Sequence, residues 1–256
     1  NGEWFISSKK DLDNIEKEII DINKILESEI CDDISIKNFS QVEDNKNIIN
    51  PDSEAEDIHQ ELINLEQKIG QYKENKEKIE LNLKLIQNNE LINIDGICFY
   101  VKSKPIERFD KNSFKNSFPD IVEEIFSKNI SSRFSIVNKP SRKKDEENIL
   151  LNKKFKVILE GQKSFSNMPR NSKVEILHSN WLINHSLLQP LELRKQTLEK
   201  KLKVRTGENA GIKGICSWKR KIEKKFTKSD VEKYNFELSQ KFIIPGKEKI
   251  NFKINP

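Results

Sequence analysis

Gly214-Ile215-Cys216-Ser217-Trp218-Lys219-Arg220-Lys221 is the stretch that decides the fold, because its pattern occurs twice. The other copy, which comes first in the chain, is Gly96-Ile97-Cys98-Phe99-Tyr100-Val101-Lys102. The spacing from the glycine to the phenylalanine of a later aromatic strand, Phe134 in one copy and Phe252 in the other, is the same. A matched length over strand-like and helix-like segments indicates an internal repeat. We interpret the two copies as duplicated β-β-α-β modules.

Local signals predict the parts of each module. In the first module, Pro105 separates two strands, and Asp110 caps a helix that Pro119 interrupts. Thr227 is predicted to cap the corresponding helix of the second module. The first module is predicted to have strands at 97–101, 106–109 and 131–137 and a helix at 110–128, and the second module is predicted at 211–254.

The net charge of +5 is unevenly distributed between the two halves of the chain. Residues 1–138 hold 18 Lys+Arg and 28 Asp+Glu, whereas residues 139–256 hold 28 and 13. A basic half favours an anionic partner, with nucleic acid as the first candidate. The alternative is a lysine-rich surface that is only solvated.

The cysteine content and the hydropathy of the sequence indicate the cellular compartment of the protein. Cys31, Cys98 and Cys216 form no Cys-x-x-Cys pair, and this sparse, odd number favours an intracellular, cytoplasmic and reducing compartment. No apolar run reaches the ~18–20 residues of a membrane span, and no signal peptide is recognised, so no membrane partner is predicted. Because the chain begins at Asn1, we expect it to be a fragment of a longer protein.

Long helices with heptad-spaced apolar residues are predicted to alternate with the two modules, so the expected fold class is α+β. Ser53 and Glu56 form a capping box, and the helix after it has a heptad seam interrupted at Lys76. Further strands are predicted at 155–159 and 174–177, and Gly207 is predicted to end a helix. The predicted organisation is a strand and helix ending an upstream domain at 1–30, an acidic loop at 31–52, a long helix with the first module at 53–137, a linker at 138–150, and strands, a helix and the second, basic module at 151–256.

No complete catalytic motif is present in the sequence. His59, His178 and His185 lack a cysteine or carboxylate at ligand spacing, so no metal site is predicted. Glu160 and Lys163, expected on a strand, are spaced one residue wider than the Glu-x-Lys of metal-dependent nucleases, and strand alternation would put them on opposite faces. We therefore predict no catalytic residue in this chain.

A basic run around Trp218 is the candidate nucleic-acid site. Its lysines and arginines straddle a predicted hairpin, where alternate side chains could neutralise several phosphates. Trp218 could stack on an unpaired base, although the alternative, in which it anchors the module core as Tyr100 would in the first copy, is favoured. The predicted nucleic-acid-binding residues are Arg205, Lys213, Trp218, Lys219, Arg220, Lys221, Lys224 and Lys225.

The second module resembles the C-terminal tail of the YqaJ family of viral recombinases, phage-type exonucleases related to lambda exonuclease. The resemblance lies in the turn at 207–211, the strand 215–219 ending in Trp-Lys, and Phe226-Thr227. In the first module, Phe109-Asp110 and the strand 133–136 are similar to the same tail. Residues 4–26 resemble the last strand and helix of the nuclease domain that precedes it.

The resemblance implies a metal-dependent nuclease core upstream of Asn1, with Mg²⁺ expected there and no cofactor in this chain. It also implies DNA and a single-strand annealing protein as partners. The leading hypothesis is therefore a non-catalytic, C-terminal accessory part of a DNA exonuclease or recombinase that contacts DNA or a partner through its second module. The alternative is a coiled-coil interaction module with no nucleic-acid role.

Overall fold

The computed structural model describes residues 32–86, 91–141, 146–161 and 165–256, without the side chains of 160 and 161. The fold is mixed α+β, as predicted. The strand and helix expected within 1–30 lie outside the described residues. The helices are α1 (32–40), α2 (Ser53–Lys84), α3 (Lys111–Ser117), α4 (Pro119–Ile125), α5 (Glu146–Gly161), α6 (Ser172–Thr206), α7 (Lys228–Tyr234) and α8 (Phe236–Gln240). The strands are β1 (Ile48–Ile49), β2 (Ile92–Ile94), β3 (Cys98–Ser103), β4 (Arg108–Phe109), β5 (Ser127–Ile136), β6 (Ser166–Met168), β7 (Gly211–Ile212), β8 (Cys216–Lys225), β9 (Ile243–Ile244) and β10 (Lys249–Ile254).

Two long helices begin with the same capping arrangement. The Asp52 carboxylate accepts a hydrogen bond from the Ala55 main-chain N at 2.7 Å at the start of α2. At the start of α6 the Asn171 side chain accepts one from Val174 N at 3.0 Å. Each bond satisfies a backbone donor that has no partner inside the helix. The 32-residue α2 confirms the predicted long helix, and its heptad pairing stays a prediction.

Several segments differ from the predicted secondary structure. Residues 155–159 and 174–177, expected as strands, lie in α5 and α6, and the expected loop at 31–50 contains the helix α1 and the short strand β1. Phe155, Ile158 and Leu159 share one helical face and pack in a common cluster. A short apolar run fits a strand or a buried helix equally well, and here the helix is longer than the run.

The hairpin of each predicted module is displaced toward the N-terminus. β2 pairs with β3 around Gly96, and β7 pairs with β8 around Gly214. The two glycines have φ of +69° and +73°. A residue with a side chain adopts such a φ only with backbone strain, so glycine at these positions favours the two turns. In the first module, the return strand expected at 106–109 is only the two-residue β4, which pairs with β9. In the second module, β8 is continuous over ten residues, so the expected hairpin with a return strand does not form there.

The last strand of each predicted module pairs with the hairpin of the other module. β10 runs antiparallel to β3, with Phe252 opposite Tyr100. β5 neighbours β8, with Val137 N donating to the Ile215 carbonyl at 2.8 Å. The predicted modules are therefore not self-contained, since each sheet takes strands from both halves of the chain.

The chain forms two compact units, each assembled from distant segments. Among the described residues, unit 1 comprises 32–62, 130–138 and 194–222, and unit 2 comprises the remainder. The two four-stranded sheets have the orders β1-β7-β8-β5 and β10-β3-β2-β6. In each sheet a short outer strand, β1 or β6, runs parallel to the first strand of the hairpin. The two sheets thus share one arrangement of strands, and the duplication itself stays a prediction.

Small apolar clusters form the core of unit 2. One surrounds Phe114 and Val231, where α3, α4, α7 and α8 bring several phenylalanines together. The predicted caps of two of these helices are confirmed: the Asp110 side chain accepts from Ser113 N, and Thr227 forms a capping box with Asp230. Gly207, with φ of +56°, ends α6 as predicted.

Candidate nucleic-acid interface

Alternation along β8 divides the predicted basic run between two faces. From Cys216 to Lys221, the buried residues are Cys216, Trp218 and Arg220, whereas Ser217, Lys219 and Lys221 point away from the core. The nucleic-acid interface predicted from this run is therefore only partly exposed.

Trp218 is a core residue. Its side chain is 1% exposed, and its Nε1 donates a hydrogen bond to Ser132 Oγ at 2.8 Å. A base cannot stack on a ring that is enclosed by protein. The structure thus corrects the assignment of Trp218 to nucleic-acid binding and agrees with the favoured alternative of a core anchor.

Arg220 is also buried, with 2% of its surface exposed. Its Nη1 and Nη2 donate to the carbonyl oxygens of Phe39 and Asn209 at 2.9 and 3.0 Å, and its guanidinium lies 4.2 Å from the Trp218 ring centroid. Burial lowers the pKa of Arg220, and the nearby Asp44 carboxylate opposes this shift. The guanidinium joins β8 to the segments that contain Phe39 and Asn209. The prediction that Arg220 contacts phosphate is wrong, because alternation along β8 turns its side chain toward the core.

Arg205 forms ion pairs within unit 1. Its two terminal nitrogens contact the carboxylates of Asp52 and Glu54. The Arg194 guanidinium likewise contacts Glu61 at 2.8 Å and, through this hydrogen bond, lowers the pKa of the carboxyl. Unit 1 combines an acidic segment of the first half of the chain with a basic segment of the second half. Its described part holds 13 Lys+Arg and 11 Asp+Glu, so the two kinds of charge nearly balance.

The remaining predicted residues lie in different surroundings. Lys213 is exposed in the β7–β8 turn, where its main-chain N donates to the Ile49 carbonyl at 2.9 Å. Lys224 and Lys225, at the far end of β8, belong to unit 2. The Lys224 ammonium lies 4.3 Å from the Phe126 ring centroid, and Lys225 pairs with Glu223 at 2.8 Å. Lys219 itself belongs to unit 1.

A residue outside the predicted set lies directly opposite Lys219. Ser135 Oγ and Ser217 Oγ are 2.8 Å apart across β5 and β8, and the strands run in opposite directions from there. Two residues further along each strand, Arg133 faces Lys219, and both are exposed. We call Arg133, Lys219 and Lys221 the outer basic face. Sequence reasoning missed Arg133 because its strand lies in the other half of the chain.

The two central residues of the outer basic face, Arg133 and Lys219, are like charges that lie opposite each other. Within the described residues, neither Arg133 nor Lys219 has an ion-pair partner. Like charges directly opposite each other on a sheet are destabilising. Lys219 and Lys221 point the same way and are about 7 Å apart along the strand. The arrangement can accept an anion with more than one charged group.

The described part of the chain shows neither a metal-binding cluster nor a membrane-spanning helix. There, no group of three or more His, Cys, Asp or Glu side chains is placed to hold a metal ion. No described helix combines the length and the apolar character needed to cross a membrane.

Comparison with known proteins does not add a relative to these observations. No family model, no curated protein and no solved structure matches this chain.

Proposed function

We propose that this chain is a non-catalytic accessory part of a phage-type DNA exonuclease or recombinase, and that it contacts the DNA backbone through the outer basic face. The observation that carries the proposal is the pair formed by Arg133 and Lys219, which are exposed, directly opposite and without an ion pair in the described residues. A bound phosphate group would offset their mutual repulsion.

The chemistry of this face favours contact with the sugar-phosphate backbone. Arg133 offers a planar fork of donors that suits phosphate, and the two lysines supply point charges. The hydroxyls of Ser135 and Ser217 lie beside them and can add neutral hydrogen bonds. With Trp218 buried, this face supplies no ring for stacking, so binding should be independent of sequence.

Few charges are involved, so the binding should be weak and sensitive to salt. Three phosphate contacts correspond to a slope of about −2.7 in a plot of log affinity against log salt for duplex DNA. The test is a titration of the full chain against duplex DNA at several salt concentrations. Substituting Arg133, Lys219 and Lys221 together by Gln should weaken binding and flatten the slope.

A matched control removes the same number of charges elsewhere. Lys115, Lys153 and Lys156 are exposed residues of α3 and α5, so their replacement by Gln changes the net charge equally. The control should bind DNA nearly as well as wild type. Equal losses in the two triple variants, or wild-type binding without salt dependence, would refute the outer basic face as the site.

The second candidate function is a protein-interaction module. It is favoured by the near balance of charges in the described part of unit 1, where Arg205 and Arg194 are held in internal ion pairs. Sedimentation of the chain with and without DNA separates the two proposals. Stable self-association without DNA binding supports this candidate.

The resemblance to the YqaJ family extends the proposal to the parent protein. A nuclease core with Mg²⁺ would precede this chain, and a single-strand annealing protein would receive its product. We place the protein in an intracellular, reducing compartment, in keeping with the buried thiols of Cys98 and Cys216. A Mg²⁺-dependent nuclease assay of this chain should show no cleavage, and the same assay on the full-length parent should show it.

A further inference from the structure

The sheet of unit 2 presents a different outer surface from the sheet of unit 1. Phe99 on β3 is 36% exposed, although the residues on either side of it, Cys98 and Tyr100, are buried. In the register of β3 and β10, Lys253 lies directly opposite Phe99. The corresponding position of the β8 strand carries Ser217, so the aromatic ring is specific to unit 2.

Further polar residues continue this outer surface. Asn251 lies opposite Val101, and Lys249 opposite Ser103, with both β10 side chains exposed. Lys249 and Lys253 are four residues apart on one strand and therefore lie about 14 Å apart on the same side. On this side of the sheet, Phe99 has Lys253 opposite it and the half-buried Val101 beside it, with Asn251 and Lys249 further along β10.

An oriented amide lies at the opposite edge of the same sheet. Asn93 and Asn167 are partners on the parallel strands β2 and β6. The Asn93 side chain accepts a hydrogen bond from Tyr100 N at 2.8 Å and donates one to Asn167 Oδ1 at 3.1 Å. With its oxygen held in this way, Asn167 keeps its exposed NH₂ group available as a donor.

We propose that this surface, the Phe99 face (Phe99, Asn167, Lys249 and Lys253), binds an unpaired stretch of single-stranded DNA. A base stacks on the Phe99 ring, Asn167 donates to an acceptor on a base edge, and the two lysines contact successive parts of the backbone. The inference rests on the proposed DNA-binding function and names a strand preference for it.

A protein partner fits this surface less well. Interaction patches for proteins are contiguous apolar areas, whereas Phe99 is a single exposed ring among charged and amide side chains. Stacking on an aromatic ring requires an unpaired base, because the bases of a duplex are already stacked on one another. The Phe99 face should therefore discriminate single strands from duplexes, which the outer basic face cannot do.

The experiment measures binding of the full chain to a fluorescent thymidine 20-mer and to a duplex of the same length. Phe99→Ser installs the residue found at the corresponding position of β8, and Phe99→Tyr keeps a ring for stacking. We expect Phe99→Ser to bind the single strand about tenfold more weakly and the duplex equally well. Phe99→Tyr should bind the single strand as wild type does.

The outcomes separate this inference from the proposed function. If Phe99→Ser keeps the wild-type affinity for the single strand while the outer basic face variant loses duplex binding, the inference is refuted and the proposed function stands. If wild type binds neither DNA, both fail. Unchanged duplex binding shows that the Phe99→Ser variant is folded, and ultraviolet crosslinking of an iodouracil-containing single strand should map to Phe99 in wild type.

Discussion

Trp218 Nε1 donates a hydrogen bond to Ser132 Oγ at 2.8 Å, which joins β8 to β5 from the buried side of the unit 1 sheet. The two residues come from different halves of the chain. An indole N–H that is buried needs a partner, and here the neighbouring strand supplies it. The tryptophan of the most basic stretch in the sequence therefore stabilises the sheet instead of presenting its ring to a ligand.

Trp218→Ala should lower the free energy of unfolding by about 3–5 kcal/mol, because a large buried ring leaves a cavity. Ser132→Ala should cost about 1 kcal/mol, since it removes only the partner of the indole N–H. Urea unfolding followed by far-ultraviolet circular dichroism measures both. A folded Trp218→Ala variant with wild-type stability and reduced DNA affinity would contradict the core assignment.

Arg220 and Lys219 are neighbours in sequence that face opposite sides of the sheet, so they form a matched pair for mutation. Arg220→Met removes a buried guanidinium that donates to two carbonyl oxygens, and should destabilise the protein by about 2–4 kcal/mol. Lys219→Met should change stability by less than about 0.5 kcal/mol, because Lys219 is exposed. Chemical denaturation of the two variants gives the comparison, and equal effects would show that β8 does not alternate as described.

Periodicity and capping signals in the sequence predict a good part of the fold. The α2 helix, the caps at Asp110 and Thr227 and the end of α6 at Gly207 are each encoded within a few neighbouring residues. Such local rules need no knowledge of the rest of the chain. The segment 155–159 shows their limit, because its apolar run does not distinguish a strand from a buried helix.

The candidate site depends on contacts that are distant in sequence. Arg220 and Lys219 are both basic residues in one strand, and only the position of the core tells which one is buried. Arg133 becomes a candidate only when β5 is known to lie beside β8, although the two strands belong to different predicted modules. The charge division of the sequence is likewise misleading, because acidic partners such as Asp52 come from the other half of the chain.

Cys98 should make the stability of the protein fall at alkaline pH. Burial raises the pKa of its thiol from 9.0 to about 11, so the folded protein holds this proton more tightly than the unfolded chain does. The resulting stabilisation is complete below about pH 9 and is lost as the pH rises toward 11. Urea unfolding of wild type and Cys98→Ala from pH 8 to 11 tests this.

The alanine variant should lose less stability over this pH range than wild type, whatever its stability at pH 8. Other groups that titrate in this pH range are present in both proteins; Tyr100, for example, also has its pKa raised by burial. The difference between the two plots of stability against pH therefore reports the Cys98 thiol alone. Parallel pH dependences for the two proteins would mean that Cys98 is as accessible in the folded as in the unfolded state.

A chain that is cut between its halves should stay assembled. The six-residue β10 pairs along its whole length with β3 from the first half, and β5 of the first half borders β8 of the second. Separating the halves would expose these strand edges and the buried residues beneath them, including Tyr100 and Trp218. Chain continuity at the exposed Ser141 contributes little by comparison.

A protease site inserted after Ser141 provides the test. After complete cleavage, the two fragments should elute together in gel filtration at the position of the uncut protein, and should separate only in denaturant. An otherwise identical protein with an uncleavable sequence at the same place is the control. Fragments that separate in native buffer would show that each half folds on its own strands, and the exchange of β5 and β10 between the modules would then be wrong.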